Sequence, residues 1–427
     1  MLELTLGQIA AVTRGAVHGD PGLVVRGEAY LDSRRPAVGG LFVAIAGDRV
    51  DGHDYVGDAH AVLGSRPTMR PTVVVDDPVV ALGRLARHVV DTVAPTVVAI
   101  TGSHGKTGTK DYLAHLLPDA VATPGNLNNE IGVPLTALRL RPGDRRLVLE
   151  MGARGVGHLT YLTGIAPPRV AAVLSLGTAH LGQFGSPEML ARAKGELVAA
   201  LPADGVAVLA ADPRVAALPT RARRLTFGGT GDVRWSCATL DEQACPTATF
   251  TYDGQRVRVR LPRPGLHQLD NAAAALALAV AADAAFLDVA PLLESASEAA
   301  PHRMQLRERS DGVLVVDDTY NASPASARAA LETAEALGGD RLWVVLGEMH
   351  ELGPAAPAAH REIADAVRAV GAELVPVGTE LYGRTPLPLD EAAAWLEARV
   401  RPGDVVLVKA SRAAGLERVV DDLLRLG

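Results

Sequence analysis

Four apolar residues, Val97–Ile100, run directly into Thr101-Gly102-Ser103-His104-Gly105-Lys106-Thr107, and a helical pattern opens at about Lys106. This junction restricts the fold more than any other stretch of the chain. A buried strand that leaves through a glycine turn into a helix returns by a crossover, and the next strand then lies parallel to the first. Further apolar strands at Leu147–Glu150, Val170–Leu174 and Val206–Leu209, with helical segments between them, continue the alternation and indicate an α/β unit built on a parallel sheet. Across Val233–Leu261 the period becomes two-like, with a turn at Asp253–Gly254, so an antiparallel hairpin is expected there; Asn271–Ala285 reads as an alanine-rich helix.

A length of 427 residues suggests about three domains. Before Thr96 the chain reads as short strands (Leu41–Ala46, Thr72–Val75) and turns, then a helix at Val79–Val93, and it breaks at Ala94 and Pro95. From Pro301 a third unit alternates again, with strands at Val313–Val316, Leu342–Leu346, Ala372–Val377 and Val405–Val408 and no phosphate loop of its own. The expected organisation is a smaller N-terminal domain over 1–95, a central phosphate-loop domain over 96–300 and a C-terminal Rossmann-like domain over 301–427.

Bulk properties exclude several functions. A net charge of −7 and an aromatic content of 4% argue against a nucleic-acid binder. Two cysteines, Cys237 and Cys245, are too few for a four-ligand zinc site and fit a reduced, cytoplasmic compartment. The N-terminus lacks a basic segment followed by a long apolar one, and no apolar run is long enough to span a membrane.

The glycine turn is a shortened phosphate loop. Gly102 and Gly105 let the backbone amides of Ser103 to Gly108 turn toward phosphate oxygens at a helix N-terminus. Lys106 would meet the β and γ phosphates and the Thr107 hydroxyl a magnesium ion, while His104 shapes or lines the loop. The spacing of its glycines is two residues shorter than in the Walker form. Lysine is scarce: 38 of the 42 basic residues are arginine, leaving Lys106, Lys110, Lys194 and Lys409. These four mark positions where a guanidinium will not serve. Glu150, at the end of a parallel strand, faces the ligand crevice and is a candidate metal ligand. His180 follows another strand, ahead of Lys194 in Ala193-Lys194-Gly195-Glu196. A lysine beside a metal would repel it unless neutral or modified, and carbamylation by CO₂ would make it an oxygen ligand. In the last unit, His302-Arg303 and Asp317-Asp318 suggest contacts to a ribose or a metal, and Lys409 to Arg412 contacts to an anionic substrate.

The ordered motifs resemble the Mur ligase family over essentially the whole chain. They are DSRRPAVGGLFVAIAGDRVDGHDYV, TGSHGKTGTK, NLNNEIGVPLT, LEMGARGVGHL, AHLGQFGS, AKGEL, DDTYNASPAS, LGEMHELG and VLVKASR. NLNNEIGVPLT is the most specific, and resembles the type that joins D-alanyl-D-alanine to a UDP-N-acetylmuramoyl-tripeptide. The resemblance implies a UDP-substrate-binding first domain, a central ATPase-like domain and a Rossmann-like third domain. It implies ATP-dependent amide formation through an acyl phosphate, with ATP, two magnesium ions and a carbamate on Lys194. By position, it implies catalytic roles for Lys106, Lys194 and His180; nucleotide contacts from Gly102 to Gly108, Asn271, Arg303 and Asp317; and metal contacts from Thr107, Glu150, His180 and Lys194. It implies substrate contacts from Asp32, Ser33, Arg34, Asn128, Asn129, Asn321, Lys409 and Ser411. The UDP-linked muramoyl peptide and D-alanyl-D-alanine are the expected substrates, and a monomer the expected state.

Four positions depart from the family's usual pattern: Gly108 where threonine or serine is usual, Gln268 for asparagine, Ser323 for asparagine and Ala410 for glycine. They leave open a paralogue that ligates a different acid or amine in specialised metabolism.

Overall fold

The computed structural model describes residues 1–47, 50–177, 184–296 and 301–426. The central sheet has six strands, all parallel, in the order Arg223–Phe227, Val206–Ala210, Val170–Val173, Thr96–Thr101, Arg146–Glu150, Ala120–Ala122. The strand before the phosphate loop therefore lies inside the sheet, where the winding reverses, and ligands bind at the carboxyl ends of strands around such a point. Register puts Ile100 beside Glu150 and Thr101 beside Val173, so the loop, Glu150 and the Leu174–Ser175 segment emerge together at one edge.

Helix Lys106–Leu116 packs along helix His267–Ala281. The run Ala272–Ala275 is fully buried there, and such small side chains let the two backbones approach closely. Where a hairpin was expected, the chain forms a three-stranded antiparallel sheet, Arg234–Leu240, Pro246–Tyr252 and Gln255–Arg260. Asp253 (φ 46°) and Gly254 (φ 76°) both occupy the left-handed region, as a two-residue type I′ turn requires. The extra strand, RWSCATL, is largely exposed and lacks an apolar stripe to reveal it.

The N-terminal sheet runs Ala16–His18, Thr72–Val74, Ala61–Gly64, Leu41–Val43, Ala29–Tyr30, with only its first pair antiparallel. Helix Pro78–Val93 starts where Asp77 accepts from the amides of Val79 and Val80, has proline in its first turn, and ends at Ala94 (φ 51°). Leu82, Leu85, Ala86, Val89 and Val90 form its buried face. It packs on helices Leu6–Thr13, Gly132–Ala137 and His158–Ile165, so one apolar core runs from the first sheet into the central one, across the boundary expected at residue 95.

The C-terminal sheet has five strands in the order Gln305–Glu308, Leu314–Asp318, Val405–Lys409, Leu342–Leu346, Glu373–Pro376. The first strand is antiparallel and the rest are parallel, with a separate apolar core on each face. Asp318 pairs with Lys409, and Lys409 with Leu346, so these strand ends align at one edge.

Candidate active site

Helix Lys106–Leu116 begins at Gly105 (φ 82°) without a side-chain cap. Its first-turn amides thus lack intrahelical acceptors and converge on one point, the arrangement that binds phosphate. Behind the loop, the Ser175 hydroxyl accepts from the amides of both Ser103 and His104 at 3.1 Å, while the Ser103 hydroxyl accepts from Gly177 N at 3.0 Å. Ser175 was not among the expected site residues; its signal was its place at the end of the strand beside the loop. Lys106 Nζ folds back to donate to Gly102 O at 2.7 Å. Desolvation lowers its pKa, and Glu150 opposes that shift.

Glu150 is 1% exposed. Its Oε2 accepts from the Thr107 hydroxyl at 2.9 Å and its Oε1 from Asn128 Nδ2 at 2.7 Å. Thr107 and Glu150, two expected metal ligands, are therefore in direct contact. Lys194, on helix Pro187–Ala199, is 2% exposed, and desolvation followed by the charge of Lys106 holds its amine well below the usual lysine range. His180 lies outside the described residues.

The opposite wall comes from the C-terminal unit. The Arg303 guanidinium stacks on the Tyr320 ring at 4.0 Å and faces the crevice. Asp317 does not face it: its Oδ1 accepts from Thr319 N and Oγ1, and its Oδ2 pairs with His302 Nδ1 at 2.8 Å. The adjacent Asp318 lines the crevice instead, because successive strand residues point to opposite faces. The cross-strand match of Asp318 with Lys409 is the signal that separates the two acids. Lys409 Nζ donates to Asp318 Oδ2 and to Asn321 O, so its charge is spent within the wall. Asn321 lines the crevice, whereas the Ser411 hydroxyl accepts from His350 N at 2.9 Å and fixes the loop after Leu342–Leu346.

Other expected substrate contacts divide. Asn128 reaches Glu150, whereas Asn129 Oδ1 accepts from the amides of Ile131 and Gly132 at the start of helix Gly132–Ala137. Asp32 and Arg34 form a paired turn in the N-terminal unit, Arg34 Nε to Asp32 Oδ1 at 2.9 Å, with Ser33 between them. This arginine draws the exposed Asp32 carboxyl down to about 2. None of these three lines the crevice.

The departures have local packing reasons. Asn271 Nδ2 donates to Gln268 Oε1 at 3.2 Å and occupies the space above the loop helix; a Cβ at Gly108 would lie 2.8 Å from it. Ser323 caps helix Pro324–Ala336, as asparagine also can. The methyl of Ala410 fills the space a side chain at Gly347 would take, at 2.8 Å.

These elements enclose a crevice of ≈ 700 Å³, the size of a nucleotide-scale ligand site, between the loop and the C-terminal wall. Residues 100–279 match the Mur ligase middle domain, and residues 302–412 match the Mur ligase glutamate ligase domain. A Mycobacterium tuberculosis (strain CDC 1551 / Oshkosh) protein named UDP-N-acetylmuramoyl-tripeptide–D-alanyl-D-alanine ligase is 40% identical over 99% of this chain and 98% of its own length. The Escherichia coli (strain K12) protein of the same name is 33% identical over 100% of both chains. The crystal structure of MurF from Acinetobacter baumannii superposes with a TM-score of 0.90 at 31% identity, covering 99% of both chains. The MurF ligase of Thermotoga maritima in complex with ADP gives 0.81 at 32% identity over 93% of this chain and 97% of that one. The chain belongs to the Mur ligase family, and within it to the MurF group.

Proposed function

We propose that this protein is an ATP-dependent, ADP-forming peptide ligase that joins D-alanyl-D-alanine to a UDP-N-acetylmuramoyl-tripeptide in peptidoglycan precursor synthesis. One crevice supports this reading: it sets an uncapped phosphate-loop helix and the Thr107–Glu150 pair opposite Arg303, Asp318 and Asn321. Similarity to MurF over both whole chains favours it over a paralogue with other substrates.

A carboxylate is a poor electrophile, so its oxygen first attacks the γ-phosphorus of ATP. The bond to the β,γ-bridging oxygen breaks, ADP leaves and an acyl phosphate forms. The dipeptide amine then adds to the acyl carbon, loses a proton and expels inorganic phosphate. Catalysis comes from positioning and charge neutralisation. The loop amides and Lys106 hold the β and γ phosphates, and Arg303 meets them from across the crevice. Asn271, packed against Gly105 and Gly108, adds a nucleotide contact at the loop.

The hard oxygen donors of Thr107 and Glu150 fit magnesium, and bound magnesium supplies neutralisation of phosphate charge. Buried Lys194, with its amine poised toward the neutral form, is suited to add CO₂ and lose a proton; the carbamate would supply an anionic oxygen and, with His180, would hold a second ion. The N-terminal unit, through Asp32, Ser33 and Arg34, takes the UDP end of the substrate. The enzyme acts as a cytoplasmic monomer, and no described helix is long and apolar enough to cross a membrane.

Phosphate release should require both the UDP-linked tripeptide and D-alanyl-D-alanine. Release that appears only with other amines rejects this assignment.

A further inference from the structure

Lys110, like the wall-bound Lys409, has no task in the proposed reaction, and it is buried at 5% exposure. It lies one helical turn beyond Lys106 and Thr107 on the phosphate-loop helix. Its ammonium donates to Thr123 O at 3.0 Å and to Gly125 O at 3.3 Å, and it is ion-paired with Asp111 Oδ1 at 2.7 Å. A compact, rotatable head with three donors can serve two carbonyls beside an adjacent carboxylate; a flat, bulkier guanidinium fork cannot converge on them in the same way. In a chain that uses arginine for nearly every other cation, retention of lysine here fits that geometry.

Both carbonyls belong to the segment that leads to Asn128. The Thr123 hydroxyl accepts from Glu150 N at 3.0 Å, and Thr123 N donates to Val148 O at 3.0 Å, so Thr123 is tied to the strand that ends in Glu150. Gly125 (φ 55°) then turns the chain toward Asn128. Asn128 Nδ2 holds Glu150 Oε1, and Asn128 O accepts from Gly152 N at 2.8 Å. The Glu150 carboxylate is thus reached from two sides, by Thr107 directly and by Asn128 through a loop fastened to the same helix.

We propose that Lys110 is a positioning residue: it locks the Thr123–Asn128 segment to the phosphate-loop helix and so sets the Glu150 carboxylate relative to the Thr107 hydroxyl. This rests on the proposed assignment of Thr107 and Glu150 to magnesium. Lys110 itself does not line the crevice.

The test compares ADP binding by calorimetry to the full-length enzyme, with magnesium and with chelator, in Lys110→Met, Lys110→Arg and Glu150→Gln. Lys110→Met and Lys110→Arg should each reduce the magnesium-linked tightening of ADP at least tenfold and lower kcat at a near-constant KM for ATP. ADP affinity in chelator should stay within twofold, because the loop amides and Lys106 are unchanged. Lys110→Arg keeps the charge and serves as the folded variant if the methionine variant is unstable. A folded lysine variant that retains the magnesium-linked tightening within twofold, with only its melting temperature lowered, overturns the proposal. If Glu150→Gln also leaves that tightening unchanged, the ion-site assignment itself is wrong, which is a separate failure.

Discussion

The Thr107 hydroxyl donates to Glu150 Oε2 at 2.9 Å, joining the first turn of the phosphate-loop helix to the end of the neighbouring strand, 43 positions away. The contact needs no intermediary because Ile100 and Glu150 share a register row and the loop adds one turn above it. Glu150→Gln keeps the shape and removes the charge. It should lower kcat by about 100-fold or more, the scale of losing one electrostatic contact to a transferring group. Asn128→Ala, which only frees Oε1, should weaken magnesium activation by about 10-fold to 100-fold. Steady-state phosphate release across a magnesium titration measures both.

Lys194→Ala should abolish most ligase activity while leaving the fold intact, since the helix carrying it is capped by Ser186 and packed through Leu190, Ala193 and Leu197. Short carboxylic acids should restore part of the rate by supplying the missing oxygen ligand. Full activity of the variant without added acid rules out a carbamate role. Intact-mass measurement in bicarbonate offers a second check.

Lys409 and Asp318 form a buried pair at the end of adjacent strands, and burial pushes the Asp318 carboxyl up while Lys409 pulls it down. Lys409→Met strands a buried carboxylate and should cost about 3–5 kcal/mol of stability. Lys409→Met combined with Asp318→Asn should cost less than the sum of the single changes. Denaturant midpoints of the four proteins give the coupling directly.

The His267 imidazole is lowered to about 4, first by desolvation and then by the charge of Lys409, and its Nδ1 is buried without a partner. An unfolded chain takes up this proton near 6.5. The unfolded state therefore binds more protons between these values, so stability tied to this group is complete above about pH 6.5 and is lost as pH falls toward 4. Urea midpoints at pH 7 and pH 5 should differ less in His267→Gln than in the parent protein.

Much of the architecture was legible because its strands are apolar runs bounded by glycine turns, and parallel sheets bury both faces. Edge strands were among the elements that escaped: Gln305–Glu308, Arg234–Leu240, Arg223–Phe227 and Ala120–Ala122 are short or polar and carry no continuous apolar signal. At the crevice, the loop and Glu150 were readable from strand ends. The choice between Asp317 and Asp318 was not, because it depends on strand parity and on a partner 91 residues away. Asn129 shows the same limit: a motif names a stretch, but hydrogen-bond geometry decides which of two asparagines faces the site and which one caps a helix.

Helix Pro78–Val93 buries its apolar face against helices that belong to the central sheet as well as against its own. A recombinant chain that exchanged only the first 95 residues with those of a relative would inherit a mismatched seam along Gly132–Ala137 and His158–Ile165. The C-terminal unit closes two cores of its own, so among the described residues a crossover near residue 301 cuts through no shared apolar core. Shuffling among relatives should therefore succeed far more often at the second junction than at the first.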